Sequence, residues 1–228
     1  MDKKYIIIIS FLAIIFISVA IFIISNKTPI ETANDGSKTA ISASGTVVAT
    51  TTVVKPADPR PKTTLGLPLS DALKRVTKKP FGLKVSPSHS PVSPERFSGY
   101  HTGVDFEILA GEENSDVPVS AVCDGSVQVA RRVSGYGGVL IQSCVINKQP
   151  VTVLYGHLKS SSIKLKAGDT LKTGEQIGIL GQAYSYDTDG ERKHLHLAIH
   201  KGDKIVYLGY AQKESDLSAW LDFMKFYK

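Results

Sequence analysis

The stretch Gly138-Val-Leu-Ile-Gln-Ser-Cys-Val-Ile-Asn-Lys-Gln-Pro-Val-Thr-Val-Leu-Tyr155 decides the fold. It contains two runs rich in β-branched and aliphatic residues, 138–146 and 151–155, separated by a polar, proline-containing turn. Runs of this kind, bounded by turn-forming residues, are typical of strands. Further runs complete the pattern: 117–122, 126–130, 177–180 and 194–199. A Ser-Gly-Tyr-Gly-Gly segment at 134–138 marks a hairpin between two of them, so the sequence predicts a mainly β, antiparallel fold.

Short helices are expected to flank this sheet. Ser70 precedes the helix-favouring run Asp-Ala-Leu-Lys-Arg and is the expected N-cap of a short helix over 70–75. Apolar residues at helical spacing predict a terminal helix over 217–226, packed on the sheet. These residues are Leu217, Trp220, Leu221 and Met224.

The N-terminal segment differs in composition from the rest of the 228-residue chain. Residues 5–25 carry no charge, and a helix of this length, at about 1.5 Å per residue, spans roughly the 30 Å of a bilayer core. A cleavable signal has a shorter apolar region of about 7–15 residues. We therefore expect residues 1–25 to be a single-pass membrane anchor, with secretion after signal cleavage as the alternative. Lys3 and Lys4 precede this run and favour an N-terminus on the cytoplasmic side, with the rest of the chain on the extracytoplasmic side.

Two further regions follow. Residues 26–64 are rich in Thr, Ser and Pro without sustained periodicity, which predicts a flexible linker. Residues 65–228 have the length of one domain with a single core. Charged residues make up only 21% of the chain and its second half is rich in Val, Ile, Leu and Tyr, which excludes a disordered chain. The net charge of +6 favours attraction to an anionic surface such as lipid headgroups or a wall polymer. No nucleic-acid partner is expected, because the sequence has no basic-aromatic stripe.

The two cysteines, Cys123 and Cys144, both lie in predicted strands. An even count in an exported domain favours a disulfide, with two buried free thiols as the alternative. A regular hairpin centred near Tyr136 sets Cys144 opposite residue 127 or 128. A Cys123–Cys144 bridge therefore requires a bulge or a contact between layers.

Three short motifs gather histidines. His101-Thr-Gly-Val-Asp105 sets two potential ligands about 13 Å apart on a straight strand, so the chain must bend at Gly103 if both bind one ion. His194-Leu-His196 sets two histidines on one strand face with Cα atoms about 6.6 Å apart, so that one imidazole can bind a metal while the other lies beside it.

In the third motif, Tyr-Gly-His157, the glycine permits close approach at the end of a strand.

Together the motifs supply His, Asp and His as three metal ligands, and three protein ligands plus water are typical of catalytic zinc. The resulting formal charge of +1 lowers the pKa of bound water towards about 7. No H-E-x-x-H helix is present in the sequence, so the base or transition-state stabiliser is expected to be histidine. Of the two remaining histidines, His89 is expected to be a loop residue and His200 a rim or structural residue.

The three motifs resemble those of the lysostaphin-type or LytM-type zinc metallopeptidases of family M23, which cut peptidoglycan peptides. The likeness covers roughly residues 95–202 and implies an antiparallel barrel-sandwich-hybrid fold. It implies that zinc is bound by His101, Asp105 and His196, and that His157 and His194 are the catalytic pair. The implied function is a zinc-dependent endopeptidase that hydrolyses peptidoglycan peptides by a metal-activated water. The alternative is a non-catalytic wall-binding or amidase-activating module of the same fold.

The residues before H-x-H depart from this family's pattern. The family usually has Ser-Thr-Gly-Pro there and an aromatic residue after the motif. This chain has Tyr-Asp-Thr-Asp-Gly-Glu-Arg-Lys over 186–193, and Leu197 follows the motif. The expected metal ligands are unaffected, whereas the loop that would line the cleft is different.

Overall fold

The structure is a computed structural model that describes residues 65–227. The predicted anchor (1–25) and linker (26–64) lie outside the described residues. Within 65–227, no helix is both long and apolar enough to cross a bilayer.

Twelve strands make up most of the regular structure in this part of the chain. In order they are β1 (Lys84–Val85), β2 (Gly99–His101), β3 (Val104–Glu107), β4 (Pro118–Ser120), β5 (Gly125–Val133), β6 (Gly137–Ile146), β7 (Gln149–Leu158), β8 (Thr170–Leu171), β9 (Gln176–Ile179), β10 (His194–Lys201), β11 (Tyr210–Ala211) and β12 (Trp220–Leu221). The helical segments are short 3₁₀ turns: Ala72–Lys74, Ser160–Ser162, Tyr186–Thr188, Glu214–Ala219 and Phe223–Tyr227.

The strands form one large sheet and two small ones, and every pair is antiparallel. The seven-stranded sheet has the order β12-β10-β7-β6-β5-β8, and β3 also pairs with β10. The small sheets are β1-β2-β11 and β4-β9. The predicted mainly β, antiparallel fold is confirmed.

Both faces of the central strands are buried, which explains their nearly continuous apolar sequence. Side chains alternate between the two faces of a strand. In β6, Leu140 and Ile146 face the main core, whereas Val139 and Ile141 face a smaller cluster that also contains Trp220. Apolar side chains therefore cover both faces of the central part of the sheet.

The disulfide between Cys123 and Cys144 is present, with Cα atoms 6.2 Å apart. The register between β5 and β6 shifts between Val127 and Val129, which sets Cys144 opposite Gly125. This one-residue bulge moves Cys144 towards the start of β5, and Cys123 lies in the bend just before that strand.

The helix predictions need correction. The segment over 70–75 is a 3₁₀ turn preceded by Asp71, and Ser70 is not its N-cap. Ser70 instead accepts hydrogen bonds from Arg75, whose buried guanidinium also binds Glu112. Burial of this guanidinium requires acceptors, and the local chain supplies them.

The prediction of a terminal helix over 217–226 is wrong. Trp220 and Leu221 form strand β12 on the edge of β10, between two 3₁₀ turns. The open edge of β10 offers main-chain hydrogen bonds that compete with the helix. The helical spacing of the apolar residues reflects burial of successive turns, not one continuous helix.

Candidate metal centre

Strand pairing brings the first and last histidine motifs together. β2 ends at His101, the chain bends through Gly103, and β3 then carries Asp105. β3 pairs with β10 so that Asp105 lies directly opposite His196. The predicted bend therefore lets two residues of one motif face a single histidine on the neighbouring strand.

Three donor atoms of these residues converge at nearly equal distances. His101 Nε2 lies 3.0 Å from His196 Nδ1 and 3.2 Å from Asp105 Oδ1. His196 Nδ1 lies 3.1 Å from the same carboxylate oxygen. All three side chains are buried, with at most 5% of each exposed. These three atoms are the candidate metal centre.

The donor set fits a zinc ion. Nitrogen and carboxylate ligands at about 2.0–2.1 Å in a tetrahedral arrangement are separated by roughly 3.3 Å, close to the separations found here. His101 Nδ1 donates to the Pro80 carbonyl oxygen at 3.2 Å, so Nε2 presents a lone pair to the centre.

The electrostatics of the centre also suit a cation. Burial, together with the charge of His101, lowers the pKa of His196 to about 4, so its imidazole is neutral at neutral pH. Burial favours protonation of Asp105, but charge and hydrogen-bond interactions with His101 and His194 hold its pKa well below the ordinary value. The centre therefore combines the neutral imidazole of His196 and the carboxylate of Asp105 with the Nε2 atom of His101.

His157 and His194 lie beside this centre. Their rings are 4.3 Å apart between centroids, and both are buried. His194 Nδ1 donates to the Arg192 carbonyl oxygen at 2.9 Å, while its Nε2 lies 3.4 Å from Asp105 Oδ2. Burial and the neighbouring charges of His194 and His196 lower the pKa of His157 well below its ordinary value. His157 Nδ1 is buried and has no partner among the described residues.

Local backbone geometry fixes the position of His157. It lies one residue before the end of β7, in the left-handed region with φ of 63°, which is unfavourable for a residue with a side chain. Its N–H donates to the Tyr136 carbonyl oxygen at 3.0 Å, and its carbonyl accepts from Gly181 at 2.8 Å. Bonds on both sides thus hold the imidazole against the centre.

Two motif glycines are required because other groups approach them closely. A Cβ on Gly103 would lie 2.6 Å from the Leu197 carbonyl oxygen and 2.7 Å from the ring of His196. A Cβ on Gly156 would lie 2.6 Å from the ring of Tyr136. The close approach predicted for the Tyr-Gly-His motif is therefore found, and Gly103 has a packing role in addition to allowing the bend.

The centre opens into a cleft of about 290 Å³. Its lining includes residues that no sequence motif indicated: Lys79, Phe97, Tyr136, Arg192, Tyr207 and Tyr210. The ring of Tyr136 lies 5.3 Å from that of His196, and the ring of Tyr210 lies 5.3 Å from that of His101. In the sequence, Tyr136 is visible only as part of a turn. Tyr210 reaches the centre because β11 pairs with β2, which places Tyr210 opposite His101.

The two remaining histidines lie outside the centre, as expected. His200 packs edge-on against Trp220, with ring centroids 5.1 Å apart. His89 exchanges main-chain hydrogen bonds with Ser86 in a loop. Neither residue lines the cleft.

Comparison with known proteins gives this arrangement a family. The sequence profile described as Peptidase family M23 matches residues 99–208, which contain the three ligand candidates and the adjacent histidine pair. Residues 99–208 are an M23 peptidase domain. The resemblance read from the three motifs is confirmed, and the domain belongs to a family of hydrolases.

Individual relatives of the M23 domain cover different shares of the chain. Endolysin 2638A of Staphylococcus phage 2638A is 32% identical over 105 residues, which are 46% of this chain and 20% of the endolysin. The match thus spans about a fifth of that relative. The LytU structure is 24% identical, covering 67% of this chain and 83% of its own, with a TM-score of 0.45. The lysostaphin catalytic domain from Staphylococcus simulans is 22% identical, covering 70% and 97%, with a TM-score of 0.46.

Proposed function

We propose that this protein is a zinc-dependent endopeptidase that hydrolyses peptide bonds of bacterial peptidoglycan by a metal-activated water. One observation carries the proposal: His101, Asp105 and His196 converge within 3.2 Å of one another beside a cleft, with two more histidines adjacent. A structural zinc site is normally closed by four protein ligands, whereas three ligands facing a cleft leave a position for the reacting groups.

The chain's own residues then have distinct roles. When bound, zinc supplies Lewis acidity that polarises a carbonyl group and makes water acidic near neutral pH. His157 is neutral at neutral pH because burial lowers its pKa, so it can accept a proton. His194 is held by its Nδ1–H bond to Arg192, which leaves Nε2 as its acceptor atom. The two imidazoles take the proton from water, stabilise the oxyanion and protonate the leaving amine.

A pair of substitutions in the full-length protein tests these roles. His196→Ala should lose both zinc and activity, because a ligand is removed. His157→Ala should keep zinc, measured by elemental analysis, and lose most cleavage of defined muropeptides, measured by mass spectrometry of the products. A zinc-bound His157→Ala protein with full activity would refute the assignment. A wild-type protein that binds no zinc and cleaves nothing would favour the non-catalytic wall-binding or amidase-activating module.

We further propose that residues 5–25 anchor the protein in the cell membrane and that the M23 domain lies on the extracytoplasmic side. The proposal rests on the uncharged 21-residue run and on the lysines that precede it. Sequencing the N-terminus of the protein isolated from membranes tests it. A mature terminus beyond Ser25 would support the secreted alternative and leave the proposed chemistry unchanged.

A further inference from the structure

Arg192 occupies a place where the family pattern has no arginine. It lies two residues before His194, in the segment that replaces Ser-Thr-Gly-Pro. Its side chain is only 13% exposed and reaches back across the sheet to β3. There the guanidinium contacts Asp105 and Glu107, the two acidic residues of that strand.

The two oxygens of Asp105 have separate partners. Oδ1 faces His101 Nε2 and His196 Nδ1 at 3.2 and 3.1 Å. Oδ2 accepts a hydrogen bond from Arg192 Nη2 at 2.8 Å and also lies 3.4 Å from His194 Nε2. One oxygen is thus directed at the metal centre, and the other is occupied by a fixed cation.

Glu107 holds this cation in place. Arg192 Nε lies 3.1 Å from both Glu107 oxygens, and Nη2 lies 2.6 Å from Oε1. Asp105 and Glu107 are two positions apart on β3, so their side chains leave the same face of the strand. The planar guanidinium bridges them, as its fork of donors allows.

We propose that Arg192 is a positioning residue that fixes Asp105 as a single-oxygen ligand of the metal centre. The proposal rests on the proposed zinc function. Arg192 acts through Asp105 Oδ2, and Glu107 acts through Arg192. Groups that orient metal ligands in this way typically change metal affinity by about 10- to 100-fold when they are removed.

Electrostatic repulsion alone predicts the opposite change in zinc affinity when Arg192 is removed. A guanidinium beside a cation site repels the incoming ion, so its removal should strengthen zinc binding if charge alone mattered. Positioning predicts weaker binding instead, because a released carboxylate can rotate away from the centre. The direction of the change in zinc Kd therefore decides between the two effects.

The experiment measures zinc Kd by competition with a chromogenic chelator, using full-length wild-type protein and the variant Arg192→Gln. We expect Kd to rise about 10-fold or more. Arg192→Lys keeps the positive charge but cannot bridge both carboxylates, so its Kd should lie between the two. The double variant Arg192→Gln/Glu107→Gln replaces the ion pair with two amides, so that neither partner is left as an unpaired buried charge that could prevent folding. Its Kd should equal that of Arg192→Gln alone, because both changes act through one contact.

Arg132→Gln is the matched control, because it removes an arginine that pairs with Asp189 and contacts no metal ligand. Its Kd should equal that of wild type. The melting temperature of each metal-free variant is measured in parallel, since a merely structural role would lower that temperature without raising Kd. An unchanged or lowered Kd in Arg192→Gln, with zinc-binding wild-type protein, would overturn this inference alone. A wild-type protein that binds no zinc would overturn the proposed function as well.

Discussion

Gly103→Ala introduces one methyl group behind a candidate zinc ligand. The new Cβ would lie 2.6 Å from the Leu197 carbonyl oxygen and 2.7 to 2.8 Å from two atoms of the His196 ring. Ordinary contact begins near 3.4 Å, so these groups must move by about 0.8 Å. The oxygen belongs to the main chain of β10 and cannot rotate away, so strand and imidazole must shift together.

Two consequences follow from this shift. Overpacking a well-filled site costs about 1–3 kcal/mol, which in a domain of this size lowers the melting temperature by about 2–12 °C. Zinc–ligand distances vary by only about 0.2 Å between sites, so a shift of this size should also raise the zinc Kd, by about 10-fold or more. Both effects come from a residue that offers no ligand atom.

The assay combines thermal unfolding of the metal-free protein with the zinc competition titration. Gly178→Ala is the matched control: its Cβ would meet the Ser162 hydroxyl at 3.0 Å and Ile163 Cγ1 at 3.5 Å, in a strand away from the centre. Gly178→Ala should bind zinc like wild type. If Gly103→Ala melts and binds zinc as wild type does, the close-approach explanation of this glycine is wrong.

Three further predictions concern stability and are measured by urea denaturation. Cys144→Ser opens the loop closed with Cys123 and should cost about 3 kcal/mol, whereas reducing agent should leave this variant unaffected. Burial of Glu95 favours its protonation, but its hydrogen bond to Lys79 holds its pKa below 4.5 in the folded protein. The pair therefore stabilises the fold above pH 4.5, and this stabilisation is lost as the pH falls through the pKa of the folded state. The stability difference between wild type and Glu95→Gln should therefore shrink from about pH 6 to pH 3, and a constant difference would contradict this. Tyr155→Phe removes a buried hydroxyl with two hydrogen bonds and should cost about 1–3 kcal/mol, a loss that Tyr184→Phe at an exposed position should not cause.

The long strands could be predicted because each carries its own signal. In β6 and β7, side chains on both faces are buried, so the apolar run is visible without knowledge of the partner strand. The short strands β1, β2 and β11 have only two or three residues each, and their pairing depends on contacts distant in sequence. The error at 217–226 has the same origin, because the edge of β10 that captures Trp220 is invisible in the local sequence.

Some residues of the candidate metal centre could likewise be predicted from the sequence, and others could not. His101, Asp105 and His196 could be selected from spacing and family resemblance, and the structure brings their donor atoms together. Arg192 and Tyr136 could not be selected. An arginine before a strand and a tyrosine in a turn are common, and only the fold reveals that both contact the site.

The separation of the ligands along the chain governs when the metal can be acquired. His101 and His196 are 95 positions apart, and β3 must pair with β10 before their nitrogens meet. Sheets built from such distant contacts form slowly, because a long loop must close before any contact rewards it. A nascent or partly unfolded chain therefore has scattered histidines and no high-affinity site. On the proposed function, we therefore expect zinc uptake late in maturation, and a chain that ends before β10 should have no hydrolytic activity.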